Sequence, residues 1–225
     1  MKRVMVSFSG GKDSMLALHR LSQEEEVVID SLLTTVNEAY NRTSIHGVRE
    51  EILDLQAESL GFPLRKVQLP KQPSNEFYEK EMAQIMQEAE ADGVTHVMFG
   101  DIFLEDIREY REKNLESTSC EAIFPIWGES TADLMHEFIE LGYETIITTI
   151  DPKRVPQYFL GKMMTHEFVK ALPKDVDPCG EYGEFHTLVV DGPMFSKRIP
   201  AALTDEIREE EFYTYVDVTI ESKKG

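Results

Sequence analysis

Val4-Met5-Val6-Ser7-Phe8-Ser9-Gly10-Gly11-Lys12-Asp13-Ser14-Met15 decides how the chain folds. An apolar run meets a glycine pair, and apolar residues then recur at Met15, Leu18 and Leu21. That pattern reads as a buried strand, a tight turn and an amphipathic helix. Such a turn is an anion-binding device. Backbone N–H groups at the start of the helix point outward, and the helix end carries roughly half a positive charge. Gly10 and Gly11 reach backbone angles closed to other residues and leave room for phosphate oxygens. The hydroxyls of Ser9 and Ser14 can donate hydrogen bonds, Lys12 can neutralise phosphate charge, and Asp13 can help to hold Mg²⁺.

Outward from this stretch, strands and helices alternate. A second strand is expected over Val27–Val36, and a helix bearing Val48, Ile52 and Leu55 stops at Gly61. A third strand spans Leu64–Leu69. Ser74 caps a helix that carries Phe77, Met82, Ile85, Met86 and Ala89 and ends at Gly93. A fourth strand, Val94–Phe99, closes on Gly100-Asp101. A charged helix around Ile107–Lys113 leads to a fifth strand near Glu121–Phe124. Alternation of this kind means βαβ units and an α/β fold built on a parallel five-stranded, Rossmann-like sheet.

With strand order 3-2-1-4-5, the sheet reverses between its first and fourth strands, and ligands bind outside the C-terminal strand ends at such a point. That places Gly100-Asp101 opposite Ser9–Ser14, with Asp101 a candidate for magnesium or substrate contact. Pro125-Ile126-Trp127-Gly128 breaks the rhythm. We therefore expect a first domain over 1–128 and a smaller α+β domain over 129–225. In the latter, Ser130 caps a helix with Leu134, Phe138 and Leu141. Tyr143–Ile150, Glu184–Val190 and a run bearing Thr214, Val216, Val218 and Ile220 are strands, and Phe159–Leu172 is a helix.

The 225 residues carry a formal net charge of −19, with 41% hydrophobic and 29% charged residues. The composition is that of a soluble globular protein, and the charge argues against general contact with nucleic acid. No stretch nears the roughly 18 apolar residues of a membrane span. No secretory signal is recognised, and the two cysteines, Cys120 and Cys179, lack CxxC spacing, so a reducing cytoplasm is the expected setting. Asp177-Pro178-Cys179-Gly180-Glu181-Tyr182-Gly183-Glu184-Phe185-His186-Thr187 is a second dense stretch. Its carboxylates could take up an amine, position ammonia or serve as a general base.

The string SGGKDS is not a Walker loop. It resembles the PP-loop, SGGxDS, of N-type ATP pyrophosphatases, which split ATP into AMP and pyrophosphate. Together with Ile45-His46-Gly47, Gln56-Ala57-Glu58, Gly100-Asp101-Ile102, Pro125-Ile126-Trp127-Gly128 and CGEYGEFHT, it resembles the diphthine–ammonia ligase family, in a bacterial-type branch, over roughly residues 1–195. The resemblance implies an adenine nucleotide alpha hydrolase-like nucleotide domain and an AMP-forming amide ligase. ATP and Mg²⁺ are then its cofactors, a carboxylate on a small molecule or a modified protein side chain its acceptor, and ammonia or an amine its nitrogen source. It also implies that Glu181, Glu184 and Thr187 lie on the substrate side; we expect His46 and His186 to bind substrate as well, and Lys12, Asp13, Glu181 and Glu184 to form the catalytic set. Eukaryotic members end the second motif in Glu-Thr, where this chain has His186-Thr187, so the acceptor is expected to differ from diphthine. A tRNA-modifying PP-loop enzyme and a non-catalytic ATP- or AMP-binding module are the alternatives, and a homodimer is left open.

Overall fold

β1 (Lys2–Ser7) is the axis of the first half of the molecule, because Val4, Met5 and Val6 are wholly out of water. The computed structural model of the protein describes residues 1–38, 42–43 and 48–221. β1 runs into α1 (Lys12–Ser22), which buries Met15, Leu16, Leu18 and Leu21. Next come β2 (Val27–Asn37), a two-residue β3 (Arg42–Thr43) and α2 (Glu50–Leu60). β4 (Leu64–Leu69), α3 (Asn75–Ala91), β5 (His96–Met98), α4 (Glu105–Leu115) and β6 (Glu121–Ile123) follow. Ser74 accepts the N–H of Phe77 at the start of α3.

β1 pairs in parallel with β2 on one side and β5 on the other, β2 with β4, and β5 with β6. Leaving aside β3, which pairs antiparallel with the end of β2, the parallel order is β4-β2-β1-β5-β6. This is the expected 3-2-1-4-5, with its reversal between β1 and β5. Met5, Leu33, Val67, Leu69 and Val97 of the sheet form one core with Met86 and Ala89 of α3 and Leu115 of α4. Side chains on alternate strand positions share a face, so a single layer of helices can cover them.

The chain divides into two compact units. The first is Met1–Ser9, Asp13–Ser44 and Gly61–Gly128; the second is Gly10–Lys12, Ile45–Leu60 and Glu129–Gly225. In the second, α5 (Thr131–Glu140) is capped by Ser130, whose hydroxyl accepts the N–H of Asp133. α5 precedes β7 (Glu144–Ile150), α6 (His166–Ala171), β8 (Phe185–Asp191), β9 (Ala201–Glu209) and β10 (Thr214–Ile220). The sheet is antiparallel, ordered β8-β7-β10-β9. Leu134, Met135 and Phe138 of α5, Ile147 and Ile150 of β7 and Leu188–Val190 of β8 are buried in it.

Two expectations fail. The helix over Phe159–Leu172 is instead a short 3₁₀ turn, Gln157–Phe159, a bridge from Met163 to Ile146, and then α6. Gly161 stands at φ 77°, outside helical space, and Thr165 accepts the N–H of Phe168 as a fresh cap. β9 was not expected at all. Among the described residues it pairs only with β10, and Asp205 and Glu209 break the apolar face of Leu203 and Ile207. Among the described residues no helix is long and apolar enough to cross a membrane.

Asp30 ties three parallel strands together at one end of their sheet. Its side chain is 5% exposed and meets Arg3 of β1 at 2.6 Å and Arg65 of β4 at 3.2 Å. Burial pushes the carboxyl up, but hydrogen bonds from Ser31, Arg3 and Arg65 outweigh it and hold the pKa below its ordinary value. A lowered pKa contributes stability above the ordinary carboxylate range that is lost as pH falls through the folded value. Asp30→Asn should therefore lower the urea midpoint at pH 7, with the gap to wild type closing below about pH 4. A gap that stays constant down to pH 3 would contradict this role.

Candidate functional site

The phosphate-loop candidate is shaped by Gly10, which stands at φ 79°. Its carbonyl accepts two hydrogen bonds, from the Val189 N–H at 3.0 Å and from Gln56 Nε2 at 3.0 Å. Gln56 is fully buried and also donates Nε2 to the Val189 carbonyl at 2.6 Å. A Cβ on Gly10 would lie 2.5 Å from Gln56 Oε1 and 2.8 Å from Leu53 Cδ2. Both the backbone angle and the space therefore demand glycine. Two residues on, the Lys12 N–H donates to Thr187 Oγ1 at 3.1 Å. The Lys12 side chain is buried, with Nζ 5.2 Å from the centre of the Phe185 ring, where the ring's electron-rich face favours a cation. These residues all belong to the second unit.

In the first unit, Ser9 and Ser14 bracket the loop, with their hydroxyls 3.1 Å apart and the Ser9 N–H reaching Ser14 Oγ. Asp13 occupies the first turn of α1, where the helix dipole favours a carboxylate. Gly100, at the end of β5, approaches this turn closely. A Cβ there would lie 2.9 Å from the Asp13 carbonyl carbon and 2.9 Å from the Ser14 nitrogen. The backbones of Gly100 and of Asp13–Ser14 thus meet where the sheet reverses. Asp101 turns to Arg111, whose Nε is 3.3 Å from Oδ2, and Arg111 lies over the Phe99 ring at 5.1 Å.

The stretch 177–187 is a tight, internally bonded turn leading into β8. Asp177 Oδ1 accepts the N–H groups of Cys179 and Glu181, and its Oδ2 accepts the Thr131 hydroxyl at 2.8 Å. Gly180 (φ 68°) has no room for a Cβ, which would lie 2.9 Å from the Phe185 ring. Glu184 is wholly buried. Its Oε1 accepts the Asp177 N–H at 3.0 Å and pairs with Arg154 at 2.9 Å. Glu181 is half-buried and Tyr182 exposed. The His186 ring is 5.7 Å from the Tyr213 ring. Cys120 and Cys179 are buried thiols that donate to the carbonyls of Val94 and Thr131. His46 lies outside the described residues.

The structure thus brings Gly10, Lys12, Phe185 and Thr187 together, and separately Gly100 with Asp13 and Ser14. It directs Glu184 toward Arg154 and Asp101 toward Arg111. Sequence reasoning singled out neither Gln56 nor Arg154 for these contacts. Gln56 carried a usable signal, as a polar residue on the face of α2 that buries Ile52, Leu53, Ala57 and Leu60, where an amide needs dedicated partners. Chemically, N–H groups at a helix start beside a buried ammonium suit a chain of phosphates.

Comparison with known proteins gives concordant results. Residues 1–121 match the family model described as diphthamide synthase N-terminal domain, and residues 130–224 the one described as diphthamide synthase C-terminal domain. Proteins named diphthine–ammonia ligase are similar along most of the chain. That of Schizosaccharomyces pombe is 26% identical over 222 residues, covering 91% of this chain and 36% of the yeast protein. That of Rattus norvegicus is 26% identical over 221 residues, covering 88% and 82%. The Homo sapiens protein is 24% identical over 223 residues, covering 88% and 82%. The chain therefore spans about a third of the yeast relative and most of the mammalian ones.

Removing Arg154 should expose what Glu184 contributes. Arg154→Met leaves a carboxylate inside the fold with its counter-ion gone. Because Arg154 is itself 33% exposed, the expected loss is about 2–3 kcal/mol, below the range for fully buried pairs. Adding Glu184→Gln should recover part of it. Urea unfolding checks this, and a single variant as stable as wild type would contradict the assignment.

Proposed function

The chain belongs to the diphthamide synthase family, and from that premise we propose that it is an ATP-dependent ligase forming a C–N bond. An acceptor carboxylate oxygen attacks the α-phosphorus of ATP, and pyrophosphate leaves. Ammonia or an amine then attacks the acyl carbon of the adenylate, loses a proton, and AMP departs. The observation that carries this reading is the Lys12–Thr187 contact at 3.1 Å. It joins the phosphate loop to the stretch that carries the carboxylates.

In this scheme the N–H groups at the start of α1 and the Lys12 ammonium stabilise the charge of the phosphates, and Ser9 and Ser14 donate hydroxyls to them. Gly10 lets the turn pack against Gln56 and Leu53, and Gly100 lets its own backbone pack against Asp13 and Ser14. The carboxylate of Asp13 and the hydroxyl oxygens of Ser9 and Ser14 are hard oxygen donors, the set that suits Mg²⁺. Bound there, the ion would neutralise phosphate charge. Asp101, already balanced by Arg111, fits orientation of the nucleotide side better than metal ligation. Glu181, half-buried and bonded through its backbone to Asp177, is the proposed acceptor of the proton lost by the attacking nitrogen. Glu184 holds the turn that presents Glu181, and His186 and Thr187 line the acceptor. The acceptor itself is a carboxylate on a small molecule or on a modified protein side chain. The relatives' own substrate carries over only as a candidate.

The purified chain incubated with ATP, Mg²⁺, ammonium and a pool of carboxylates should form AMP and pyrophosphate in equal amounts. Lys12→Ala should reduce turnover by about 10²–10³-fold, the scale seen when one electrostatic contact to a transition state is removed. Release of ADP and phosphate instead would overturn the proposal.

A further inference from the structure

On the second unit, away from the residues assigned above, two imidazoles and a carboxylate converge. His136 and Glu140 are four residues apart on α5, so they project from one face of the helix. His166 opens α6, fixed there by the Thr165 cap. Its Nε2 is 2.8 Å from Glu140 Oε1. The His136 and His166 rings meet edge to face with centroids 5.1 Å apart. One donor atom from each of the three residues lies within 4.8 Å of the others.

The helices beneath are anchored. Leu134, Met135 and Phe138 of α5 and Phe168 of α6 are buried, so the positions of the three Cα atoms are set by core packing. The side chains themselves are exposed or half-exposed and can turn without disturbing it. A tetrahedral Zn²⁺ with bonds of about 2.0–2.2 Å places its ligand atoms roughly 3.3–3.5 Å apart. Small side-chain rotations close the remaining gap.

We propose that His136, Glu140 and His166 form a zinc-class transition-metal site that clamps α6 to α5. Two nitrogens and one carboxylate oxygen are a borderline-soft set that suits Zn²⁺ over Mg²⁺ or Ca²⁺ and leaves a fourth position for water. The clamp has a structural consequence within the same unit. Phe168 of α6 meets Phe185 edge-on at 5.4 Å, and the Phe185 face carries the Lys12 ammonium at 5.2 Å. Holding α6 therefore steadies the ring under Lys12. The proposal does not rest on the ligase reading.

The test uses the full chain without an affinity tag, stripped with chelator and titrated with ZnCl₂ by calorimetry. One Zn²⁺ per chain is expected, with a rise in Tm on saturation. The double variant His136→Ala/His166→Ala should bind at least about tenfold more weakly and lose the Tm rise, while its far-ultraviolet circular dichroism is unchanged. Mg²⁺ in place of Zn²⁺ should give no binding or Tm rise that the double variant removes. If the double variant fails to fold, Glu140→Gln, which changes one exposed atom, should weaken binding in the same direction. Absence of Zn²⁺ binding to wild type, or unchanged affinity in the variants, overturns the proposal.

Discussion

The carbonyl of Gly10 accepts from both Val189 and Gln56, and the candidate phosphate loop takes its form from that doubly hydrogen-bonded oxygen. A turn of small residues would ordinarily sample many conformations, because glycine loses more freedom on ordering than any other residue. Two hydrogen bonds to one carbonyl, one of them from a buried amide shared with Val189, hold it in a single one. The cost of ordering is met before any ligand arrives, which is how preorganised donors gain their effect on developing charge. Lys12 follows directly. Its N–H is fixed by Thr187, two residues before Val189 on β8, so one strand sets both ends of the turn.

Gly100 imposes the matching constraint in the first unit. Its contact with Asp13 and Ser14 is backbone against backbone at distances that admit no side chain. The order β4-β2-β1-β5-β6 makes β1 and β5 neighbours, so the loops following them emerge side by side. The excess of acidic residues over the whole chain does not describe how individual charges are paired within each unit. Lys12 is buried over an aromatic ring, Arg111 balances Asp101, and Arg154 balances Glu184. Net charge bears on solubility and on bulk partners, while a site is set by which few charges are paired.

Much of this was legible in the order of residues. The run Val4–Phe8, the glycine pair and the spacing of Met15, Leu18 and Leu21 encode strand, turn and helix locally, and βα alternation restricts the topology to few choices. Where local pattern misled, a backbone feature overrode it. Phe159, Met164 and Phe168 are all buried at spacings that mimic a helix, yet Gly161 and the Thr165 cap divide them. β9 escaped notice because an edge strand can expose Asp205 and Glu206 without penalty. The partners of the site were illegible for a different reason. Gln56 reaches Val189 across 133 positions and Lys12 reaches Thr187 across 175. No periodicity carries such separations. A buried glutamine on an apolar face signals only that a partner exists.

Binding of inorganic pyrophosphate, followed by calorimetry in Gln56→Met, tests the preorganised loop most directly. Gln56 is not itself a proposed ligand contact but bonds the Gly10 carbonyl behind the turn, and methionine roughly keeps its volume. The account predicts that the variant stays folded yet binds pyrophosphate at least about tenfold more weakly, the cost of roughly one lost buried hydrogen bond. Unchanged affinity in a folded Gln56→Met protein would contradict it.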